Sequence, residues 1–84
     1  MILSIEEMLE AIMKEFILEK VDYIALCDLL KAMSFCGSGG QAKFAIFEGN
    51  VKVDGKIELR KKCKIRAGSI VEYSGQIVKV VGLS

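Results

Sequence analysis

The apolar positions of the chain change period as they run from helical spacing to alternation. Ile5, Met8, Leu9, Ile12 and Met13 recur at i, i+3, i+4, i+7 and i+8, with Glu6, Glu7, Glu10 and Lys14 on the far side. This is the stripe of an amphipathic helix over residues 4–14, and Ser4 with Glu7 supplies a capping box at its start. Residues 15–19 read as a short strand, 20–22 as a turn, and 23–25 as extended again. Leu26, Leu29, Leu30 and Met33 then make a second helical stripe, with Asp28 in the first turn where a negative charge suits the helix dipole. Residues 34–37 are a connector of the right length to join two helices.

Ser38-Gly39-Gly40-Gln41 opens the next helix, predicted over residues 39–48. Ser38 can accept from a free N–H of the first turn, and Gln41 can reach back to the N–H of Ser38 as a second capping box. Ala42, Ala45 and Ile46 share one face, but Phe44 lies well round from them and Phe47 flanks Lys43. A helix apolar on most sides calls for a second layer, and the acidic N-terminal helix or a second copy of the chain is the expected cover. Gly49 stands where a left-handed residue ends a helix.

Beyond Gly49 the period becomes two. Val51 and Val53 alternate with Lys52, and Asp54-Gly55 marks a two-residue hairpin to residues 56–58. Residues 63–65 read as a short strand and Ala67-Gly68 as a turn. Residues 69–73 and 76–81 read as two strands joined at Ser74-Gly75. Turns this short favour antiparallel pairing, because parallel strands need long crossovers. The predicted architecture is α+β: two short helices packed on a small curved antiparallel sheet, with an extra N-terminal amphipathic helix. Residues 1–14 are read as an extension and 15–84 as the domain.

Eighty-four residues make one domain, and a 52% hydrophobic share with 27% charged residues fits a globular chain, not a disordered one. The start carries no basic leader and acquires two acids at once, so it is not read as a signal peptide. No apolar run reaches the length of a membrane span, and the expected location is the cytoplasm, with no membrane partner. Histidine is absent, which removes the commonest general base and metal ligand. Cys27, Cys36 and Cys63 show no C-x-x-C spacing, so free thiols in a reducing compartment are expected in place of a disulfide framework or zinc site. No catalytic residue, metal or cofactor is expected. Only Cys63 has the cationic neighbours that lower a thiol pKa.

Net charge is only +1, but its distribution is uneven. Residues 1–30 hold seven acids and two lysines, and residues 31–84 hold ten bases and four acids. Such asymmetry either points one face at a polyanion or gives two oppositely charged faces that keep the protein in solution, and charge alone does not choose between them. The run Arg60-Lys61-Lys62-Cys63-Lys64-Ile65-Arg66 packs five bases into seven residues with no acid among them. A charged edge can protect a sheet from aggregation, but surfaces that need only solubility mix signs. Taken alone, Ser38-Gly39-Gly40 reads as a helix start with a flexible connector; the other reading is that Gly39 and Gly40 leave its backbone N–H groups open to a phosphate, with Lys43 a turn away. The P-loop spacing is absent. With Phe44 and Phe47 on a helix and Tyr23 and Tyr73 isolated, a stacking platform for bases is not expected.

Leu29-Leu30-Lys31, Ser38-Gly39-Gly40-Gln41-Ala42-Lys43, the segment from Glu48-Gly49-Asn50 to Asp54-Gly55, and the segment from Glu58-Leu59-Arg60 to Ala67-Gly68 together resemble the RNA-binding domain named after small ribosomal subunit protein four. The resemblance runs from about Phe16 to Val81. It implies the αL fold, two helices on a small antiparallel sheet, and a non-enzymatic protein that binds structured RNA such as ribosomal or transfer RNA. It also implies that the start of the second helix and nearby bases meet the RNA backbone: Ser38, Gln41, Lys43, Lys52, Arg60, Lys61, Lys62 and Lys64. Gly39, Gly40 and Arg66 join them from the reading of the helix start and the basic run. The chain departs from the family at Gly39, where many members carry arginine, and at Ser69, where many carry aspartate. The expected function is RNA binding through a basic face, associated with the ribosome and translation. The alternative is a protein–protein adaptor or homodimer that uses residues 1–14.

Overall fold

The computed structural model describes Ser4 and residues 13–82. The elements in chain order are β1 (Met13–Leu18), β2 (Ile24–Ala25), α1 (Leu26–Ala32), α2 (Gly39–Phe47), β3 (Val51–Val53), β4 (Lys56–Ile57), β5 (Lys64–Ile65), β6 (Ile70–Tyr73) and β7 (Gln76–Gly82). The helix predicted over residues 4–14 lies outside the described residues, Ser4 and its last two positions excepted. Those two, Met13 and Lys14, belong to β1.

Both described helices end in the same way. Past α2, Gly49 is left-handed at φ 77°, its N–H donates to the Ile46 carbonyl, and the Asn50 N–H donates to the Ala45 carbonyl. That double bond is a Schellman motif. Past α1, Ser34 takes the left-handed position at φ 60°, with Ser34 N–H on Lys31 O and Phe35 N–H on Leu30 O. The two helix starts differ. Ser38 Oγ accepts from Gln41 N at 3.2 Å, as expected. The Gln41 side chain, however, accepts from Gly37 N at 2.8 Å and not from Ser38, so the reciprocal bond of the expected capping box is displaced by one residue. The start of α1 has no side-chain cap; the carbonyls of Cys63 and Lys61 accept from Leu26 N and Cys27 N at 2.9 and 3.0 Å.

The main sheet has the order β1-β7-β6-β3-β4, and β2 pairs with β5 in a separate two-stranded sheet. Asp54-Gly55 and Ser74-Gly75 both have two successive positive φ angles, the type I′ geometry that matches the twist of a hairpin. Asp54 also accepts from Ile70 N at 2.9 Å, tying the first hairpin to β6. The expectation of a purely antiparallel sheet is corrected at one edge: β1 runs parallel to β7, with Met13 beside Ile77 and Leu18 beside Gly82. The long intervening chain supplies the crossover that parallel pairing needs. The core is one cluster. Leu26, Leu29 and Leu30 of α1, Ala42, Ala45 and Ile46 of α2, and Val51, Ile65, Val71, Val78 and Val80 of the strands are buried in it.

Candidate nucleic-acid interface

The core stripe of α2 leaves a second stripe on its outer side. Gly40, Lys43, Phe44 and Phe47 follow i, i+3, i+4 and i+7 and therefore share a face. Across from that face runs the segment 59–66. Together they wall an open groove of about 1110 Å³, lined by Gly40, Lys43, Phe44, Phe47, Leu59, Arg60, Lys61, Lys62, Cys63, Lys64 and Arg66. No carboxylate lines it.

Three features set the basic wall. The carbonyls of Lys61 and Cys63 are held by the start of α1, so the backbone of the run caps a helix while its basic side chains stay exposed. In β5, Ile65 is buried and Lys64 is exposed, because alternation turns neighbours to opposite faces; Arg66, just past the strand, is exposed too. Tyr23 then gathers these two cations: Lys64 Nζ lies 4.9 Å and Arg66 Cζ 5.6 Å from its ring centre, within cation–π range.

Arg60 is engaged differently. Its Nε and Nη2 donate to the two oxygens of Glu58 at 3.0 Å each, and its backbone N–H donates to Glu58 Oε2 at 3.0 Å. The side-chain bonds from Arg60, followed by its backbone N–H, hold the Glu58 carboxyl at about 2, against an ordinary 4.5. Two donors of the Arg60 fork are thus taken. The thiol of Cys63 is pushed up, first by burial and then by its hydrogen bond to Glu58. The nearby bases do not overcome these effects, so Cys63 is a thiol and not a thiolate at neutral pH.

The structure brings together most of the residues singled out in the sequence. Gly40, Lys43, Arg60, Lys61, Lys62, Lys64 and Arg66 line one groove. Ser38 and Gln41 act at the mouth of α2 as cap and connector brace. Lys52 is apart, on β3 with Glu72 as its cross-strand neighbour. At Gly39 a Cβ would meet nothing within 4 Å, and at Gly40 only Ser38 Oγ at 3.9 Å. Neither has the positive φ that demands glycine, so their effect is to leave the helix mouth open. Sequence reasoning missed Tyr23, Glu58, Leu59 and the two phenyl rings as parts of this region. The 40-43-44-47 stripe was the available signal for the rings. Phe44 is 63% and Phe47 77% exposed; no second layer covers them among the described residues.

Among the described residues there is no cluster of metal-ligating side chains and no helix long and apolar enough to cross a membrane.

The S4 domain family matches residues 16–81. YbcJ of Escherichia coli (strain K12) is 54% identical over 69 residues, which cover 82% of this chain and 99% of YbcJ. The YbcJ of Shigella flexneri matches to the same extent, again at 54% over 69 residues. The solution structure of the E. coli protein, described as revealing an αL motif involved in RNA binding, superposes with a TM-score of 0.64 over 80% of this chain and 85% of its own. With the family match spanning β1 to β7 and a solved relative of the same fold, the chain belongs to the S4 domain family.

Proposed function

We propose that this protein binds structured RNA without catalysing a reaction on it. The observation that carries the reading is the groove beside α2, where Lys43, Lys61, Lys62, Lys64 and Arg66 converge with no acid in the lining. The description of E. coli YbcJ as carrying an RNA-binding motif points the same way. Phosphates of an RNA helix or junction sit along the basic wall, and the open backbone at Gly39 and Gly40, with Ser38 and Gln41 behind it, fixes the register. Arg60 contributes through what Glu58 leaves free, and Lys52 reaches the RNA only if it extends past the groove. Ribosomal or transfer RNA is the ligand class, in the cytoplasm and in the service of translation. Residues 15–84 form the RNA-binding domain, and residues 1–14 are an extension whose last two residues run into β1.

The test is a double substitution, Lys61→Gln with Lys62→Gln, titrated against a structured RNA over a range of salt. Both side chains are exposed, and of the two residues only Lys61 caps α1, through its backbone carbonyl, so the fold is retained. Affinity is expected to fall. The slope of log K against log salt should flatten by about 0.7–0.9 for each phosphate no longer neutralised. Unchanged affinity and slope would reject the run as the RNA face.

A further inference from the structure

The basic wall accounts for half of the groove and leaves its other half without a purpose. Phe44, Phe47 and Leu59 are 63%, 77% and 61% exposed in the same groove as the cations. Large apolar side chains grouped on a surface mark a contact. A fully paired RNA helix satisfies the cations, since it presents phosphates and hydroxyls. It offers nothing to the phenyl rings, whose faces would stay in water or lie against charge. An unpaired nucleotide meets both demands, because it carries a phosphate on one side and a flat π-face on the other. Charge decides against the other large groove, around Ile17, Val21 and Tyr23, where Glu19, Asp22 and Asp28 stand among the lining with Lys62 and Lys64.

Contrary to the sequence-based expectation of no stacking platform, we propose that the groove takes an unpaired nucleotide of the bound RNA, such as a bulged base, stacked on Phe47 or Phe44 while Lys43 and the basic wall hold its flanking phosphates. Lys43 and Phe47 are one helical turn apart on the same face, so one nucleotide spans cation and ring. At about 1110 Å³ the groove is just above the range of roughly 300–1,000 Å³ found for small-ligand pockets, with room for a base and its neighbours. The inference rests on the RNA-binding reading and narrows it from structured RNA in general to RNA with an extruded base.

The experiment uses the full chain and two hairpin RNAs, one fully paired and one with a single bulged 2-aminopurine. The wild-type protein is expected to prefer the bulged hairpin and to change its fluorescence as the base leaves the RNA stack. Phe47→Ala with Phe44→Ala should weaken binding of the bulged RNA by about 5- to 150-fold, the usual cost of losing a stacked base. It should leave the paired RNA unaffected and abolish the fluorescence change. Phe47→Tyr, which keeps a ring, should retain the preference. Equal binding of both RNAs by the wild type and the double variant overturns the inference. The RNA-binding reading survives that result if Lys61→Gln with Lys62→Gln still weakens both. If neither hairpin binds at low salt, the RNA-binding reading falls and the stacking with it. If the phenylalanine variant changes only the sedimentation of the protein, the rings belong to a second copy and the inference is overturned.

Discussion

At position 58 a carboxylate stands two residues before the basic run and fixes its first member. Glu58 takes two bonds from the Arg60 side chain and one from its backbone, which is why its carboxyl stays ionised down to about 2. A carboxyl whose pKa is depressed on folding stabilises the fold above its unfolded value and loses that contribution as pH falls through the folded one. The window here runs from about 4.5 down to about 2. Glu58→Gln is therefore expected to melt below the wild type at neutral pH, with the gap closing across that window. Thermal unfolding at a series of pH values checks it; a gap that persists below the window would show that Glu58 acts by packing and not by charge. The acid is visible in the sequence. Its hold on Arg60 is not, because a bidentate pair depends on backbone geometry that the order of charges along a chain does not carry.

At the scale of elements, α2 is the piece on which the proposed interface is mounted. Its inner stripe is anchored in the core, its outer stripe makes one wall of the groove, and its start is held by Ser38. Ser38→Ala is expected to cost about 0.5–2 kcal/mol, the usual loss for an N-cap. At about 4–8 °C of melting temperature per kcal/mol for a domain of this size, thermal unfolding followed by circular dichroism resolves it. No loss would mean that the Gln41 bond to Gly37 suffices to hold the turn. This cap was legible because it is local: a serine and a glutamine three residues apart are enough to propose it. The cap of α1 was not legible. Its acceptors are the carbonyls of Lys61 and Cys63, more than thirty positions away in the chain, and every residue has a carbonyl.

For the molecule as a whole, the decisive feature is the pairing of the first and last strands at one edge of the sheet. β1 lies beside β7 over six residue pairs, and Leu18, at its end, is buried in the core. Removal of residues 1–12 leaves β1 complete and is expected to leave fold and RNA binding in place. Removal of residues 1–18 leaves β7 paired only with β6, makes it the new edge strand and takes Leu18 from the core, which invites aggregation. Size-exclusion chromatography of the two truncations separates the cases. Retention of a compact monomer by the longer truncation would show that β1 is dispensable. The shorter truncation also tests the adaptor alternative, since an adaptor built on residues 1–14 loses its partner while the groove is untouched.

The sequence by itself determined what short-range physics controls. The two helical stripes, the Ser38 cap, the left-handed Gly49, both type I′ hairpins and the density of charge over residues 60–66 all depend on residues within a few positions of one another. Backbone sterics and hydrogen bonding enforce them wherever the segment lies. The tertiary structure alone decided which distant segments meet. It placed β1 parallel to β7, set the carbonyls of the basic run on the start of α1, and put Phe44 and Phe47 opposite the cations. Burial in one shared core makes those choices, because an apolar strand or stripe is satisfied by any matching surface and only the packed whole selects one. The two phenyl rings show the difference: their spacing along α2 is plain in the sequence, but that they face a wall of lysine and arginine was fixed only when residues 59–66 folded back across the helix.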